Sequence, residues 1–211
     1  MSDNPPSTHR WATWVGRMRA LADTGLAYCE NAYDRQRYEE LRDLALAMTA
    51  ELADAPLERV RGLLQLEPGD VTPKVDVRGA VFEDGRVLLV REASDGLWTL
   101  PGGWADVGES AREAVEREMR EESGYEVRAT KLAAVYDRAR HGHPPQAIHA
   151  YKLLFLCERT GGAPRKSAET TDVAFHPLDA LPALSLMRVT AAQIERVSEH
   201  LRHPEWPTDF D

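Results

Sequence analysis

Residues 102–125 read GGWADVGESAREAVEREMREESGY, a glycine turn followed by a segment with the features of a complete α-helix. Ser110 is a strong N-cap residue, and Glu113 lies three positions later, as in a capping box. Gly124 is placed to end the helix in a left-handed conformation. The interior between them contains neither glycine nor proline. The sequence therefore predicts a helix over residues 111–123.

The carboxylates of this helix are unusually placed when the side chains are projected at about 100° per residue. The stripe expected to pack on the protein starts with apolar residues and continues into three glutamates, in the order Ala111, Ala114, Val115, Glu118, Glu121 and Glu122. The opposite arc is polar and should face water; it comprises Arg112, Glu113, Glu116, Arg117, Arg120 and Ser123. Like charges packed together out of water are unfavourable unless cations neutralise them.

Three glutamates at positions i, i+3 and i+4 offer only oxygen ligands, which suit hard divalent ions such as Mg²⁺ or Mn²⁺. The alternative is a solvated acidic face with helix-surface ion pairs, because Arg117 lies four residues from both Glu113 and Glu121. That alternative needs the acids on the outer side of the helix, whereas the projection places them on the inner side. We therefore interpret the three glutamates as a metal cradle.

The spacing of the fixed residues resembles the Nudix box: Gly103, five residues, Glu109, seven residues, then Arg117-Glu118-Met119-Arg120-Glu121-Glu122-Ser123-Gly124. Tyr125 departs from that pattern, which usually has an aliphatic residue there, at a position that concerns packing rather than metal binding. The resemblance implies an α+β fold, an α/β/α arrangement of a mixed sheet sandwiched by helices. It also implies a loop–helix–loop cradle for divalent metals.

The same resemblance implies which residues form the site. The ligands of Mg²⁺ or Mn²⁺ would be the carbonyl of Gly102 and the carboxylates of Glu118, Glu121 and Glu122. Glu109 and Arg117 would hold the cradle in shape, Arg117 by pairing with a carboxylate.

Such metals bridge phosphate oxygens and lower the pKa of the water that attacks one phosphorus. We expect Glu118 to accept the proton of that water, with Glu169 as the competing base. Glu169 lies in the polar loop 165–172, where the family often supplies an extra acid. An ordinary solvated loop glutamate is an equally open interpretation of Glu169.

A phosphate substrate in an acidic protein needs local positive charge. Arg78 and Arg138 are candidates for bidentate phosphate contacts, with solvated surface arginine as the alternative for each. Trp98 and Trp104 flank the turn 101–103 and complete the candidate substrate site. Trp98 is expected to pack beneath the loop, whereas Trp104 is a candidate to stack on a base.

A histidine pair, His141 and His143, lies in a predicted loop over residues 138–145. A zinc site would need a third nitrogen or sulfur ligand, and none has suitable spacing. We interpret the pair as surface residues, with a role in a substrate loop as the alternative.

The chain divides into a helical N-terminal extension, residues 1–68, and a catalytic domain, residues 72–211. In the extension, helices are predicted from Trp11 to a break at Gly25, over 34–52 and over 57–66. Three short helices make a poor independent domain at this size. We therefore expect the extension to dimerise or to dock on the remainder of the chain.

The catalytic domain mixes strands and helices without strict alternation. Strands are predicted over 74–82, 87–90, 98–100, 126–136, 147–157 and 172–177, and a last helix over 190–200. Four segments resemble one bacterial Nudix subgroup with a small helical N-terminal extension: 31–39, 72–78, 101–108 and 181–190. Members of that subgroup are described as CDP-choline or ADP-ribose pyrophosphatases and are often dimeric.

The composition bears on the partners and the location of the protein. A formal net charge of -9 argues against extended nucleic acid as a partner, because such binding needs basic surface. Two cysteines weakly suggest a reducing compartment. No apolar run approaches the roughly 20 residues of a membrane helix, and the start lacks the regions of a secretory signal. We therefore expect a cytoplasmic enzyme with no membrane partner.

Together these observations predict a Mg²⁺-dependent pyrophosphohydrolase that cleaves a nucleoside diphosphate linked to a small moiety, of the CDP-choline or ADP-ribose class. One alternative is a pyrophosphohydrolase of nucleoside triphosphates or RNA 5′ ends, which the negative charge mildly disfavours. Another is an inactive nucleotide-sensing regulator, which would not need to retain Glu118, Glu121 and Glu122. The expected partners are a nucleotide-linked small molecule and a second copy in a homodimer.

Overall fold

The computed structural model describes residues 8–63, 72–146 and 148–211. The described residues fall into two compact units. The first contains the described residues before Lys74 together with residues 144–146, 148 and 149, and the second contains Lys74–His143 and Ala150–Asp211. In the described part of the chain, no helix is long and apolar enough to cross a membrane.

The first unit is helical: α1 spans Thr8–Tyr28, α2 spans Ala32–Leu52 and α3 spans Leu57–Leu63. The predicted break at Gly25 is wrong, because α1 runs on to Tyr28. Gly25 instead allows close packing of α1 on α2, since a Cβ there would meet the Tyr38 ring at 2.4 Å. The part of the third predicted helix beyond residue 63 lies outside the described residues.

The second unit contains two four-stranded sheets. In the first sheet, β1 (Lys74–Ala80) runs parallel to β6 (Ala150–Gly162), which is antiparallel to β5 (Tyr125–Asp137). A short strand β8 (Asp209–Phe210) pairs with β5 in parallel at the far edge. This sheet is therefore mixed, as predicted. Strand β6 was predicted to begin at residue 147, which lies outside the described residues.

The second sheet is antiparallel and is centred on β3 (Arg86–Glu92). Its other strands are β2 (Phe82–Glu83), β4 (Trp98–Thr99) and β7 (Thr170–Pro177). The single strand predicted over 74–82 is wrong, because the chain leaves the first sheet after Ala80 and joins the second at β2. This crossing is what splits the strands between two sheets.

Two helices complete the second unit, α4 (Ala111–Ser123) and α5 (Ala191–Arg202). Each helix shares a different cluster of buried apolar side chains with the strands. The α4 cluster includes Val77, Leu88, Val115, Met119 and Phe155. The α5 cluster includes Leu89, Leu100, Ala134, Leu154, Ile194 and Val197. The predicted α+β class, with a helical N-terminal part, is confirmed.

Candidate active site

Helix α4 begins and ends where the sequence predicts. The Ser110 hydroxyl accepts a hydrogen bond from Glu113 N, and the Glu113 carboxylate accepts one from Ser110 N at 2.8 Å. Gly124 follows the helix with a φ of 77°, in the left-handed region. Tyr125, the residue that departs from the box, is buried and packs near Phe175 at the helix exit.

The three glutamates of the predicted stripe differ in exposure. Glu122 is buried, and the Glu118 side chain is only 13% exposed. The prediction is wrong for Glu121, whose side chain is 55% exposed because its carboxylate turns outward to Arg117. It is also wrong for Ser123, which was assigned to the water-facing arc and is fully buried where the chain enters β5.

Arg117 hydrogen-bonds to three carboxylates, those of Glu109, Glu118 and Glu121. Its Nε and Nη2 donate to the two oxygens of Glu109 at 2.8 and 3.0 Å. Its Nη1 donates to Glu118 at 3.0 Å and to Glu121 at 3.1 Å. The hydrogen bond from Arg117 holds the pKa of the Glu109 carboxyl below its usual value. One guanidinium therefore fixes the loop before α4 to two acids on the helix.

The turn that carries Gly102 lies directly against β1. Val77 N donates to Gly103 O at 2.8 Å, and Gly79 N donates to Pro101 O at 3.0 Å. Gly102 has a φ of 142°, and a Cβ there would meet Val77 O at 2.0 Å, so only glycine fits. Gly102 N donates to the Glu122 carboxylate at 2.9 Å. The turn thereby holds Glu122 at the inner end of the site.

Burial makes negative charge costly at two of these acids. It raises the pKa of Glu122 to about 7, with Arg78 acting in the opposite sense. Burial likewise raises the pKa of Glu118, and Arg117 opposes that shift. A divalent cation would stabilise both carboxylates, and an all-oxygen donor set fits a hard ion.

Within the described ranges, no three side chains of His, Cys, Asp or Glu converge closely enough to hold an ion on their own. Glu118 and Glu121 both point to Arg117 in this arrangement. A cation site here would therefore need the backbone oxygen of the Gly102 turn, or carboxylates that exchange Arg117 for the ion.

Arg78 lies below this turn rather than in solvent. It is buried, its Nε donates to Asp76 at 2.8 Å, and its Nη1 donates to the Leu100 carbonyl at 3.1 Å. Lys152, fully buried on β6, donates to the same Asp76 carboxylate at 2.6 Å. Because Arg78 is buried, the solvated-arginine alternative is wrong for it. Asp76 already accepts from its Nε and Nη2, and a bidentate phosphate contact by Arg78 stays a prediction.

The other predicted substrate residues are spread around the turn. Arg138 is buried, so the solvated-arginine alternative is wrong for it as well, and it donates to the Met187 carbonyl at 3.2 Å. Trp98 packs its edge on His176 at 4.4 Å between ring centroids. Trp104 is 42% exposed, and its backbone pairs with that of Asp76. Of the four candidates, Trp104 therefore presents the most side-chain surface to a ligand.

The two remaining predictions concern acids and histidines of the loops. Glu169 is exposed, and its backbone lies in a turn in which its N donates to the Ser167 hydroxyl. His141 pairs with Asp211, whereas His143 Nδ1 hydrogen-bonds to the Leu186 carbonyl, so the two histidines do not converge. The surface interpretation of His143 is wrong, since that residue is only 4% exposed.

Sequence reasoning missed a buried acid close to the site. Glu92 ends β3, is 5% exposed, and pairs with Arg188 Nε at 2.9 Å. Burial raises the pKa of Glu92, and its charge acts on Glu122. Strand parity gave no signal for it, because β3 is buried on both faces from Val87 to Val90 and its register shifts between Arg91 and Glu92.

Two segments of this chain match known domain families. Residues 72–197 match the NUDIX domain. Residues 9–64 match a domain described as UDP-X-like, N-terminal oligomerisation domain.

Individual relatives extend over most of the chain. A Bacillus subtilis (strain 168) protein named "Putative ADP-ribose pyrophosphatase YjhB" is 45% identical over 96% of this chain and 97% of its own length. The crystal structure of an ADP-ribose pyrophosphatase from Streptococcus suis 89-1591 is 40% identical, covers 66% of this chain and 100% of its own, and has a TM-score of 0.62.

A second solved structure, of a UDP-X diphosphatase, is 33% identical, covers 97% of this chain and 99% of its own, and has a TM-score of 0.63. These likenesses agree with the carboxylate helix and the glycine turn described above. The chain belongs to the Nudix family and is an ADP-ribose pyrophosphatase-like hydrolase that acts on pyrophosphate bonds.

Proposed function

We propose that this chain hydrolyses the diphosphate of a nucleoside diphosphate linked to a small group, using Mg²⁺ or Mn²⁺. Nudix hydrolases generally use divalent metal cations. The observation that carries the proposal is the pair of acids beside the Gly102 turn, the buried Glu122 and the half-buried Glu118. The negative charge of these two carboxylates becomes favourable when a cation is bound beside them. The ligands would be the Gly102 carbonyl and the carboxylates of Glu118, Glu121 and Glu122.

The side chains around the site have separate roles in this proposal. When bound, the cations neutralise phosphate charge and lower the pKa of the attacking water. Arg117 fixes Glu109 and orients Glu118 toward the turn. Glu118 accepts the proton of the water, with Glu169 as the competing base. Arg78 and Arg138 supply positive charge below the diphosphate, and Trp104 is the exposed aromatic side chain beside it.

ADP-ribose is the first candidate substrate, because two of the relatives above carry that activity in their names. A uridine diphosphate linked to another group is the second. The N-terminal domain is described as UDP-X-like, and the UDP-X diphosphatase resembles nearly the whole chain. CDP-choline, implied by the subgroup resemblance, is the third.

A substrate panel tests this proposal. ADP-ribose, UDP-glucose, CDP-choline and ATP are each incubated with the full chain, with Mg²⁺, with Mn²⁺ and with a chelator, and the products are separated by chromatography. We expect a linked diphosphate to give a nucleoside monophosphate, faster than ATP is cleaved, and only with a divalent ion. Preferential cleavage of ATP would favour the triphosphate alternative, and no cleavage at all would favour the inactive regulator.

We also propose that the first unit forms a homodimer, because its helices expose large apolar side chains. Trp11 and Trp14 are 38% and 39% exposed and stack edge to face with centroids 5.3 Å apart. Leu21 and Tyr28 on the same helix are 64% and 63% exposed. The family description of this region as an oligomerisation domain supports the proposal.

Replacing both Trp11 and Trp14 by alanine should weaken the dimer by about 10- to 100-fold or more, since buried tryptophans are frequent binding hot spots. Analytical ultracentrifugation over a range of concentrations measures this change, and circular dichroism checks that the helices remain. The matched control is Tyr33→Ala, also an exposed aromatic residue but on α2. A wild-type chain that stays monomeric at every concentration would refute the dimer.

A further inference from the structure

We infer that Leu186 and Met187, in the segment between β7 and α5, form an apolar platform for the nucleobase of the substrate. This inference rests on the proposed function, because it names where one part of that substrate binds. Leu186 is 50% exposed and Met187 is 42% exposed. Both side chains can therefore contact a ligand at the surface of the second unit.

One side of the platform is anchored to the end of β3 and the turn after it. Arg188 donates to Glu92 at 2.9 Å and to Asp95 at 3.2 Å. The Ser185 hydroxyl donates to the same Asp95 carboxylate at 2.7 Å. Ser185 N also donates to the Trp98 carbonyl at 2.8 Å. The residues on either side of the platform are therefore fixed by charge-assisted hydrogen bonds.

The other side is anchored by the carbonyls of the platform residues themselves. His143 Nδ1 lies 2.7 Å from the Leu186 carbonyl and is the donor, since a carbonyl oxygen only accepts. Arg138 Nη2 donates to the Met187 carbonyl at 3.2 Å. Arg138 Nη2 also contacts the Met187 sulfur at 3.6 Å. The backbone is thus held from both sides, while the Leu186 and Met187 side chains remain partly exposed.

These anchors place the platform next to the candidate metal cradle. Glu92, which pairs with Arg188, lies opposite Thr170 in the second sheet, and the Thr170 hydroxyl donates to the Glu122 carbonyl at 2.7 Å. Arg138, which donates to Met187, follows Asp137 of β5; Asp137 lies opposite Tyr151 on β6, next to the Lys152 that donates to Asp76. The backbone of Asp76 in turn pairs with that of Trp104, directly after the glycine turn. The platform is therefore connected to the candidate cradle and to the glycine turn through directly contacting residues.

The chemistry of the platform favours a base over the other parts of the substrate. A sugar presents hydroxyl groups that need hydrogen-bond partners, and a quaternary ammonium group prefers aromatic rings. A nucleobase presents a flat apolar face, which aliphatic and thioether side chains can cover. Methionine is well suited because its unbranched side chain adapts to the shape of a ligand.

The test compares ADP-glucose, UDP-glucose and ADP-ribose as substrates of the wild-type chain and of Met187→Ala. The first two differ only in the base, and the first and third differ only in the linked group. We expect kcat/KM to fall by about tenfold or more on both adenine substrates, mainly through KM, since lost apolar contacts have effects of this size. The loss should be smaller on UDP-glucose, whose base is smaller.

Two further variants separate binding from folding. Met187→Leu retains an apolar side chain and should recover most of the lost kcat/KM. Leu201→Ala removes another exposed apolar residue, 51% exposed on α5, and should leave all three substrates unchanged. Thermal melting checks that each variant is folded as the wild type is.

The outcomes are distinguishable. A loss that follows the base and not the linked group supports the platform. An active wild-type chain with equal losses on all three substrates, or with a changed oligomeric state in Met187→Ala, overturns the platform and leaves the proposed function standing. A wild-type chain that cleaves none of the three overturns both.

Discussion

Replacing Glu122 by glutamine should reduce metal-dependent turnover by about 10²- to 10⁴-fold. The cations contribute several kcal/mol of charge stabilisation in phosphoryl chemistry, and about 1.36 kcal/mol corresponds to a factor of ten in rate. The substitution removes the negative charge of the most buried acid of the cradle but leaves an oxygen that can accept the bond from Gly102 N. Initial rates at saturating Mg²⁺ measure the effect, and KM is followed separately.

The same variant should fold at least as well as the wild type without metal. The folded-state pKa of Glu122 is about 7, above its ordinary value of 4.5. The contribution of this group to stability is therefore complete below about pH 4.5 and is lost as the pH rises through 7. Glutamine cannot ionise, so the difference in free energy of unfolding between variant and wild type should grow from pH 5 to pH 8.

A matched control is Glu195→Gln, which neutralises an exposed glutamate on α5. We expect it to keep the wild-type rate and the wild-type dependence of stability on pH. A near wild-type turnover in Glu122→Gln would show that this acid does not hold a catalytic metal.

Replacing Asp76 by asparagine should lower the free energy of unfolding of the second unit by about 3–5 kcal/mol, the usual cost of removing one partner from a buried ion pair. The Asp76 carboxylate accepts hydrogen bonds from two buried cations, Arg78 and Lys152. Burial alone would raise the pKa of its carboxyl, but the two cations lower it below its usual value. Without the carboxylate, burial of both cations is left uncompensated.

Urea unfolding followed by tryptophan fluorescence measures this change, and an unchanged slope shows that the same surface is exposed on unfolding. Asp84→Asn is the matched control, because Asp84 is exposed in the turn between β2 and β3 and asparagine tolerates its positive φ of 49°. If Asp76→Asn were as stable as that control, the ion pairs of Asp76 with Arg78 and Lys152 would not stabilise the second unit.

The helix of the site could be predicted closely because its signals are local. The capping box at Ser110 and the exit at Gly124 act within a few residues of the chain, so the sequence contains both ends of α4. Periodicity was less reliable for exposure. It placed Glu121 on the buried side and Ser123 on the exposed side, and both assignments are wrong. The angular position of a residue on a helix does not show which neighbouring elements cover that residue.

The buried charges could not be predicted, because they depend on contacts distant in sequence. Lys152 and Asp76 are 76 residues apart and meet through the parallel pairing of β1 with β6. A lysine in a strand is usually exposed, and only this register places it on a carboxylate. Glu92 and Arg188 likewise come together only after the segment before α5 folds onto β3.

The central claim is that the acids beside the Gly102 turn hold divalent cations. The most direct test is anomalous scattering from crystals of the full chain grown with Mn²⁺. We predict a peak within bonding distance of the Glu118 and Glu122 carboxylates and of the Gly102 carbonyl, with Arg117 released from Glu118. A map without a peak there, in which Glu118 remains on Arg117 at saturating Mn²⁺, would contradict the claim.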